Sequence, residues 1–164
     1  MKMCENKKPM AIARLSGSNM YPNIRGLVKF YDAPGGTDVE VTVWGLPNYV
    51  PASQTPNNQP IGPHGFHIHE NGSCKITDPD NPFESAGGHW NPTNQPHGNH
   101  AGDFPVLFSN GGYANMTFFT DKFKPEDVIC KSVIIHENPD DYRTQPAGNS
   151  GTRIACGVIC KVVY

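Results

Sequence analysis

The alternation of apolar and polar residues between positions 25 and 46 constrains the fold of this chain more than any other feature. The run VKFY at residues 28–31 and the run VEVTV at residues 39–43 each place every second side chain on one face, and the segment DAPGGTD between them turns the chain. A period of two is typical of a half-buried β-strand, and two such runs around a short turn predict a hairpin.

Further short strands are predicted at residues 11–15, 65–69, 113–119, 132–136 and 153–163. With 17 glycines and 16 prolines among 164 residues, long helices are disfavoured. We expect one short helix at KPEDVICK, residues 124–131, where Pro125 suits the first turn. The pattern predicts an all-β antiparallel sandwich or barrel. The length fits one domain, placed at residues 11–164 after a disordered or extended segment at residues 1–10.

Composition narrows the classes of function. The net charge is −2 and charged residues make up 17% of the chain, with no basic block to indicate nucleic-acid binding. No apolar run reaches transmembrane length. The N-terminal MKMCENKKPM has no signal-peptide stretch, so we expect a cytoplasmic protein, or a periplasmic or secreted one whose signal has been removed. A disordered terminus explains Cys4 better than a lipid anchor, and five cysteines leave at least one thiol unpaired within the chain.

Three connections between the predicted strands are long, at residues 47–63, 70–102 and 137–152. A loop of the second length is rare in a compact domain unless something holds it. This loop carries Cys74, His89, His97 and His100, and Asp103 follows it directly. We therefore expect a loop held by a metal ion, with a disulfide as a second candidate restraint.

The stretch HGFHIHENGSC, residues 64–74, offers a pair of metal ligands. Residues two apart on a strand share a face, so His67 and His69 can converge on one ion, whereas His64 faces the other way and is left to packing or the surface. The run HGNHAGD at residues 97–103 adds two imidazoles and a carboxylate, a donor set that suits zinc. Each motif alone also fits a solvated surface segment, and a lone histidine such as His136 is more often a core or edge residue.

Five motifs taken together carry a resemblance to a known family. The stretches GFHIHENGSC, SAGGHWNP, HAGDFP, VIIHENPDD and GTRIACGVI resemble, in this order, motifs of the copper/zinc superoxide dismutases, particularly the bacterial members. The resemblance spans residues 11–159. It implies a Greek-key sandwich or flattened barrel of about eight strands with long metal-binding and electrostatic loops. It also implies an antioxidant enzyme that converts two superoxide anions and two protons to oxygen and hydrogen peroxide, with copper and zinc as cofactors.

The resemblance assigns a role to individual residues. Copper would be held by His67, His69, His89 and His136, and zinc by His89, His97, His100 and Asp103, so that His89 bridges the two metals. His89 and Arg153 would be the catalytic residues, with Arg153 guiding the anion. Asp140 would link a copper ligand to a zinc ligand. Cys74 and Cys156 would form a disulfide that closes a loop of about 80 residues, worth roughly 4 kcal/mol in the chain-entropy model.

The chain departs from the family pattern in a few places. Only two residues separate His97 from His100, a shorter spacer than is usual, and the third long loop is short, with Arg143 as its only cation. We expect Cys130 and Cys160 to be buried free thiols. Family members include monomers and dimers, so a homodimer is one expectation.

Two other functions fit parts of the pattern. A non-catalytic metal-binding module of the same fold would typically lack a copper ligand, and none is missing. A dinuclear zinc hydrolase would usually continue the HxH pair with an Asp-His pair, but here Asn71 and Gly72 follow Glu70.

Overall fold

The computed structural model describes residues 7–164. Residues 1–6, with Cys4, lie outside the described part, and the boundary of the domain at residue 11 stays a prediction. Met10 already joins the sheet, because its N–H donates to the carbonyl of Phe30 and its carbonyl accepts from the N–H of Val162.

The described residues form seven antiparallel strands in one strongly curled sheet, which confirms the predicted all-β class. The sheet order is β4-β6-β7-β1-β2-β3-β5, so neighbours in space are often distant in sequence, as in a Greek key. The strands are β1 Ala11–Gly17, β2 Arg25–Ala33, β3 Gly36–Trp44, β4 Phe66–His69, β5 Tyr113–Thr120, β6 Ser132–His136 and β7 Arg153–Lys161.

An eighth strand is replaced by a segment that pairs only at isolated points. Residues 103–107 run beside β4, with bridges between His64 and Leu107 and between His67 and Asp103. Pro105 lies in this segment and has no N–H to donate, which disfavours a continuous ladder. The free edge of β4 is thus covered by the segment that follows the predicted zinc motif.

The predicted hairpin forms as β2 and β3. Val28 pairs with Val41 and Phe30 with Val39, and all four side chains are fully buried. Ala33 pairs with Gly36, so the turn consists of Pro34 and Gly35, whose φ of +79° suits glycine.

The predicted helix at residues 124–131 is only a single 3₁₀ turn, Pro125–Val128. Its start matches the expectation, with proline in the first turn and the Asp127 carboxylate accepting the Lys124 N–H at 2.8 Å. Two further 3₁₀ turns, Ala52–Gln54 and Glu84–Ala86, lie within the long loops. No helix among residues 7–164 is long and apolar enough to cross a membrane.

The sheet buries apolar side chains on both faces near β6. Val133 and Ile135 belong to the main core, whereas Ile134 and Cys156 pack outside it against Phe83 and Ala86. Cys156 forms a disulfide with Cys74, 82 residues earlier. The first part of the long loop is therefore held against β6 and β7 by a covalent bond and a small apolar cluster.

The expectation that Cys130 and Cys160 are buried is wrong, because both are exposed. Cys160 follows the buried Ile159 near the end of β7 and points to the opposite face. Cys130 lies in the turn before β6, with a φ of +63°. Alternation along β7, with Ile159 buried, would predict Cys160 on the outside.

Candidate metal centre

Four buried histidines from three parts of the chain form the first cluster. His67 and His69 come from β4, and His136 is the last residue of β6. His89 comes from the long loop and reaches the cluster through a bridge with His69. One ligand atom from each histidine lies within 4.8 Å of the others. This cluster is the set predicted to bind copper, and we call it the deep cluster.

A second cluster shares His89 and lies in the loop that follows it. Its other members are His97, His100 and Asp103, again with ligand atoms within 4.8 Å of one another. The Asp103 carboxylate also accepts the backbone N–H groups of Gly98 and His100, at 2.8 and 3.0 Å. The two-residue spacer between the histidines thus closes a tight loop around its own carboxylate. We call this set the loop cluster.

Asp140 joins the two clusters from the side away from the ligand atoms. Its carboxylate oxygens lie 2.6 Å from His67 Nε2 and 2.8 Å from His97 Nε2, and the side chains of all three residues are fully buried. Gly148 makes room for this contact, because a Cβ at this position would lie 1.9 Å from an Asp140 oxygen. A glycine is therefore required at position 148, which is a constraint that the motif alone did not reveal.

Backbone carbonyls fix the remaining two deep-cluster rings. His69 Nδ1 lies 3.0 Å from the Gly87 carbonyl oxygen, and His136 Nδ1 lies 3.2 Å from that of Gly151. A ring nitrogen next to a carbonyl must carry the proton, so Nε2 of each ring is left as the donor atom for a metal. These two Nε2 atoms are 3.3 Å apart.

The buried ring nitrogens without a hydrogen-bond partner indicate where a metal ion would bind. Six such side-chain atoms occur in the described part of the chain, and four of them are ring nitrogens: His67 Nδ1, His89 Nε2, His97 Nδ1 and His100 Nδ1. Buried polar atoms in native proteins nearly always have a hydrogen-bond partner. Several unpartnered nitrogens in one place therefore indicate a site for an ion. Imidazole nitrogens with one carboxylate fit copper and zinc.

The environment keeps three deep-cluster histidines, His67, His69 and His136, neutral, as metal ligands must be. Burial is the largest cause, followed by the neighbouring histidines, and it lowers the pKa of His67 and of His69 far below the usual 6.5. The same two causes lower the pKa of His136 to about 3. Burial opposes ionisation of Asp103, but the hydrogen bond from His89 and the nearby imidazoles outweigh it and lower its pKa.

Arg153 is held at the rim of the deep cluster. Its guanidinium donates to the carbonyl oxygens of Phe83 and Gly87, at 2.6 and 2.7 Å. Gly87 is also the carbonyl bound by His69, so one backbone atom positions both the arginine and a deep-cluster ring. Phe83 adopts a left-handed conformation, φ 62°, which directs its carbonyl toward the arginine side of the loop.

Two residues that support His136 were missed from the sequence. His64 is fully buried, and its Nδ1 lies 2.9 Å from the carbonyl oxygen of His136 and 3.1 Å from that of Glu137. Tyr21 donates a short hydrogen bond to the Glu137 carboxylate. The ladder between β6 and β7 is irregular between Ile135 and His136, and these contacts add to the backbone hydrogen bonds that hold this end of β6. His64 does lie outside both clusters, as its position in the motif indicates.

Comparisons with known proteins agree on one family. The family model described as copper/zinc superoxide dismutase (SODC) matches residues 24–159. The chain is 37% identical to "Superoxide dismutase [Cu-Zn]" of Deinococcus radiodurans over 82% of this chain and 76% of the relative. It is 33% identical to "Superoxide dismutase [Cu-Zn] 2" of Aquifex aeolicus over 86% and 82%. The solved Cu/Zn superoxide dismutase of Brucella abortus superposes with a TM-score of 0.70 at 30% identity, covering 90% of this chain and 98% of that one.

Proposed function

The chain belongs to the copper/zinc superoxide dismutase family and is a superoxide dismutase, and on that premise we propose how its residues divide the work. The reaction converts two superoxide anions and two protons to oxygen and hydrogen peroxide. The observation that carries the assignment of residues is the group of four buried ring nitrogens without partners, placed between two carboxylates that orient the rings.

We assign the deep cluster to copper. His67 would ligate through Nδ1, because its Nε2 is bound to Asp140. His69 and His136 would ligate through Nε2, because a carbonyl occupies each Nδ1. His89 would contribute Nε2, which has no other partner. The support is that His67, His69 and His136 each have one nitrogen bound to the protein and one free for the ion, whereas Nδ1 of His89 faces the loop cluster.

We assign the loop cluster to zinc. His97 and His100 would ligate through their unpartnered Nδ1 atoms. His89 would use Nδ1, which lies 3.0 Å from Asp103 Oδ1, and Asp103 would supply that oxygen. Three nitrogens and one carboxylate oxygen make a closed four-ligand set, which is typical of structural zinc.

Copper supplies one-electron chemistry in both directions, whereas zinc does not change oxidation state. The protein's own residues then have three tasks. Arg153 binds the small anion at the rim, and its attraction weakens as salt is added. His89 holds or releases a proton at Nε2, the nitrogen that faces the deep cluster. Asp140 keeps the rings of His67 and His97 in one orientation, so that the two clusters share a common support.

The test measures metal content and superoxide turnover on the same sample. We expect copper and zinc each near one per chain, and rapid turnover that disappears when copper is removed and returns when it is restored. A fully copper-loaded sample without turnover would instead support a non-catalytic metal-binding module. Zinc far below one per chain in a copper-loaded, active sample would contradict the assignment of the loop cluster.

We propose that the enzyme works in an oxidising compartment, which in a bacterium is the periplasm or the exterior. The support is the Cys74–Cys156 disulfide, because structural disulfides persist mainly where thiols are not kept reduced. The test alkylates free thiols in intact cells and then separates the cell fractions. We expect Cys74 and Cys156 to be recovered as the disulfide in the periplasmic or secreted fraction. Recovery of both as free thiols in the cytoplasm would contradict it.

We also propose a homodimer, formed through exposed aromatic residues at the end of β3, at the start of β5 and in two loops. Trp44 and Tyr113 are in ring contact, and Tyr49 and Phe108 line one apolar cavity together with Pro63. Trp44, Tyr49 and Phe108 are each more than half exposed, and a group of large apolar residues at the surface is typical of an interface. Light scattering should give twice the mass of one chain, and Phe108→Ser should shift the mass toward one chain. A single-chain mass for the unmodified protein at high concentration would contradict the dimer.

A further inference from the structure

Two cysteines outside both clusters lie side by side at the end of the β6–β7 ladder. The N–H of Cys130 donates to the carbonyl oxygen of Ile159 over 3.0 Å, and Cys160 is the next residue. Standard covalent geometry added to this hydrogen bond keeps the Cα atoms of the two cysteines within about 7 Å. Disulfide-bonded cysteines have Cα separations of about 4.4–6.8 Å, so the backbone brings the pair within or close to that range.

Both side chains are on the outside of the sheet. Residues two apart on a strand share a face, so Cys160 lies on the same face of β7 as Cys156, which reaches outward to Cys74. Cys130 and Cys160 are both exposed. Cys160 Sγ lies 3.8 Å from the Val158 carbonyl oxygen, and rotation of this exposed side chain about Cα–Cβ is needed to turn the sulfur toward Cys130.

Cys130 stands where a glycine would be more stable. Its φ is +63°, and the Lys131 N–H donates to the Val128 carbonyl, so Cys130 is the third residue of a turn that favours glycine at this position. The Ile159 carbonyl accepts the N–H of Cys130, and the Ile159 N–H donates to the carbonyl of Lys131. Two residues thus face one, so a β-bulge follows the turn. A strained, exposed cysteine beside a second exposed cysteine is unexpected unless the two sulfurs react with each other.

We propose that Cys130 and Cys160 form a second disulfide on oxidation, with hydrogen peroxide, the product of the chain's own reaction, as the oxidant. One thiolate attacks a peroxide oxygen, the O–O bond breaks, and a sulfenic acid and hydroxide form. The other thiolate attacks the sulfenic sulfur, the S–O bond breaks, and hydroxide leaves as the S–S bond forms. Two thiols and one peroxide give one disulfide and two waters.

The test adds hydrogen peroxide to the full, metal-loaded chain with Cys4→Ser, which removes the cysteine outside the described residues. Because the peroxide is supplied, the result does not depend on the dismutase assignment. The titratable thiols of the denatured protein should fall from two per chain to none. Under non-reducing conditions the tryptic peptide of residues 123–131 should be linked to that of residues 154–161.

The controls are Cys130→Ser and Cys160→Ser. Residues 154–161 also contain Cys156, so the Cys160→Ser variant shows whether the link is to Cys160 or arises by exchange with Cys156. The link should be absent in both variants, and the remaining thiol should not be lost to a bond within the chain. Two thiols that survive peroxide, separate oxidation of each to a sulfinic acid, a link that persists in Cys160→Ser, or a link between two chains would each overturn the proposal.

Discussion

The deep cluster and the loop cluster are adjacent, yet different forces position them. Three of the four deep-cluster histidines lie on β4 and β6, which pair with each other, so the sheet fixes their spacing. The loop cluster takes His97, His100 and Asp103 from a segment without a strand, held by the hydrogen bonds of Asp103 and by Asp140. The deep cluster is thus preorganised by the fold, whereas the loop cluster depends on local polar contacts that can fail individually.

Removing one proposed ligand from each cluster gives the largest expected contrast. His136→Ala deletes a strand-borne ligand, and we expect superoxide turnover to fall by more than about 100-fold, beyond the range for loss of a supporting residue. His100→Ala should lower zinc content strongly but leave more turnover than His136→Ala, provided that copper is fully loaded. Metal content and superoxide turnover, measured on both variants, test this difference between the clusters. Equal turnover in the two variants would contradict the division of roles.

Acid should destabilise the metal-free protein through the deep cluster. The folded state lowers the pKa of His136 from 6.5 to about 3, so the unfolded state binds this proton more readily. The stability that the neutral ring provides is present above pH 6.5 and is lost as pH falls toward 3, at up to about 1.4 kcal/mol per pH unit. Denaturant titrations of the metal-free chain at several pH values measure this slope. His136→Gln should reduce it, and an unchanged slope would show that other groups cause it.

Loss of the Cys74–Cys156 disulfide should destabilise the chain and loosen the loop more than the strands. The bond spans 82 residues, and the chain-entropy model gives roughly 4 kcal/mol for a loop of this size. Chemical unfolding of Cys74→Ala with Cys156→Ala measures the loss. Hydrogen exchange should rise first in residues 70–90, and protection of β4 and β6 should persist. Equal loss of protection in the strands and the loop would contradict the argument that the fold alone positions the deep cluster.

Asp140→Asn should weaken the loop cluster more than the deep cluster. The amide can accept from only one of the two rings, so His67 or His97 loses its partner. Loss of such a supporting contact typically lowers metal affinity about 10–100-fold. We expect the loss mainly in zinc, because β4 still positions His67. Competition with a chelator measures both affinities, and a larger loss of copper than of zinc would contradict the argument.

His64→Phe should perturb the deep cluster alone, with the smallest effect. The carbonyls of His136 and Glu137 would lose a buried donor, at a cost of about 1–3 kcal/mol. The electron paramagnetic resonance spectrum of bound Cu(II) should shift, because the backbone of His136 moves, whereas zinc affinity should not change. His64→Gln, which retains a donor, is the control and should restore part of the original spectrum. Identical spectra in all three proteins would assign His64 to packing only.

Alternation and motif order sufficed to predict most of the fold. Side chains that alternate between core and solvent mark the hairpin of β2 and β3 and the strands β1 and β5. By contrast, β4 and β6 are buried on both faces, so they stand out as short apolar runs that carry histidines. The helix at residues 124–131 was overestimated, because Cys130 turns the chain after one 3₁₀ turn. Alternation cannot reveal which strands pair across the Greek key, since those partners are far apart in sequence.

The candidate site could be predicted only where the proposed metal ligands are side chains. The seven predicted ligands lie in recognisable motifs, and the structure brings all of them into two clusters. The supporting contacts were largely hidden, because they use backbone carbonyls at Gly87 and Gly151 and a buried ring at His64. Such contacts form between loops that are distant in sequence, so no local sequence pattern predicts them. Asp140 was found only because it belongs to a motif.

The carbonyl oxygen of Gly87, which receives both His69 and Arg153, has a consequence for how this enzyme can change over time. A backbone oxygen is present whatever residue occupies position 87, so no substitution can delete it. Substitution can only rotate it, and a φ of +77° makes nearly every replacement do so. The rim arginine and a deep-cluster ring would then shift together. Substitutions at position 87 therefore change the positions of Arg153 and His69 together and not one at a time.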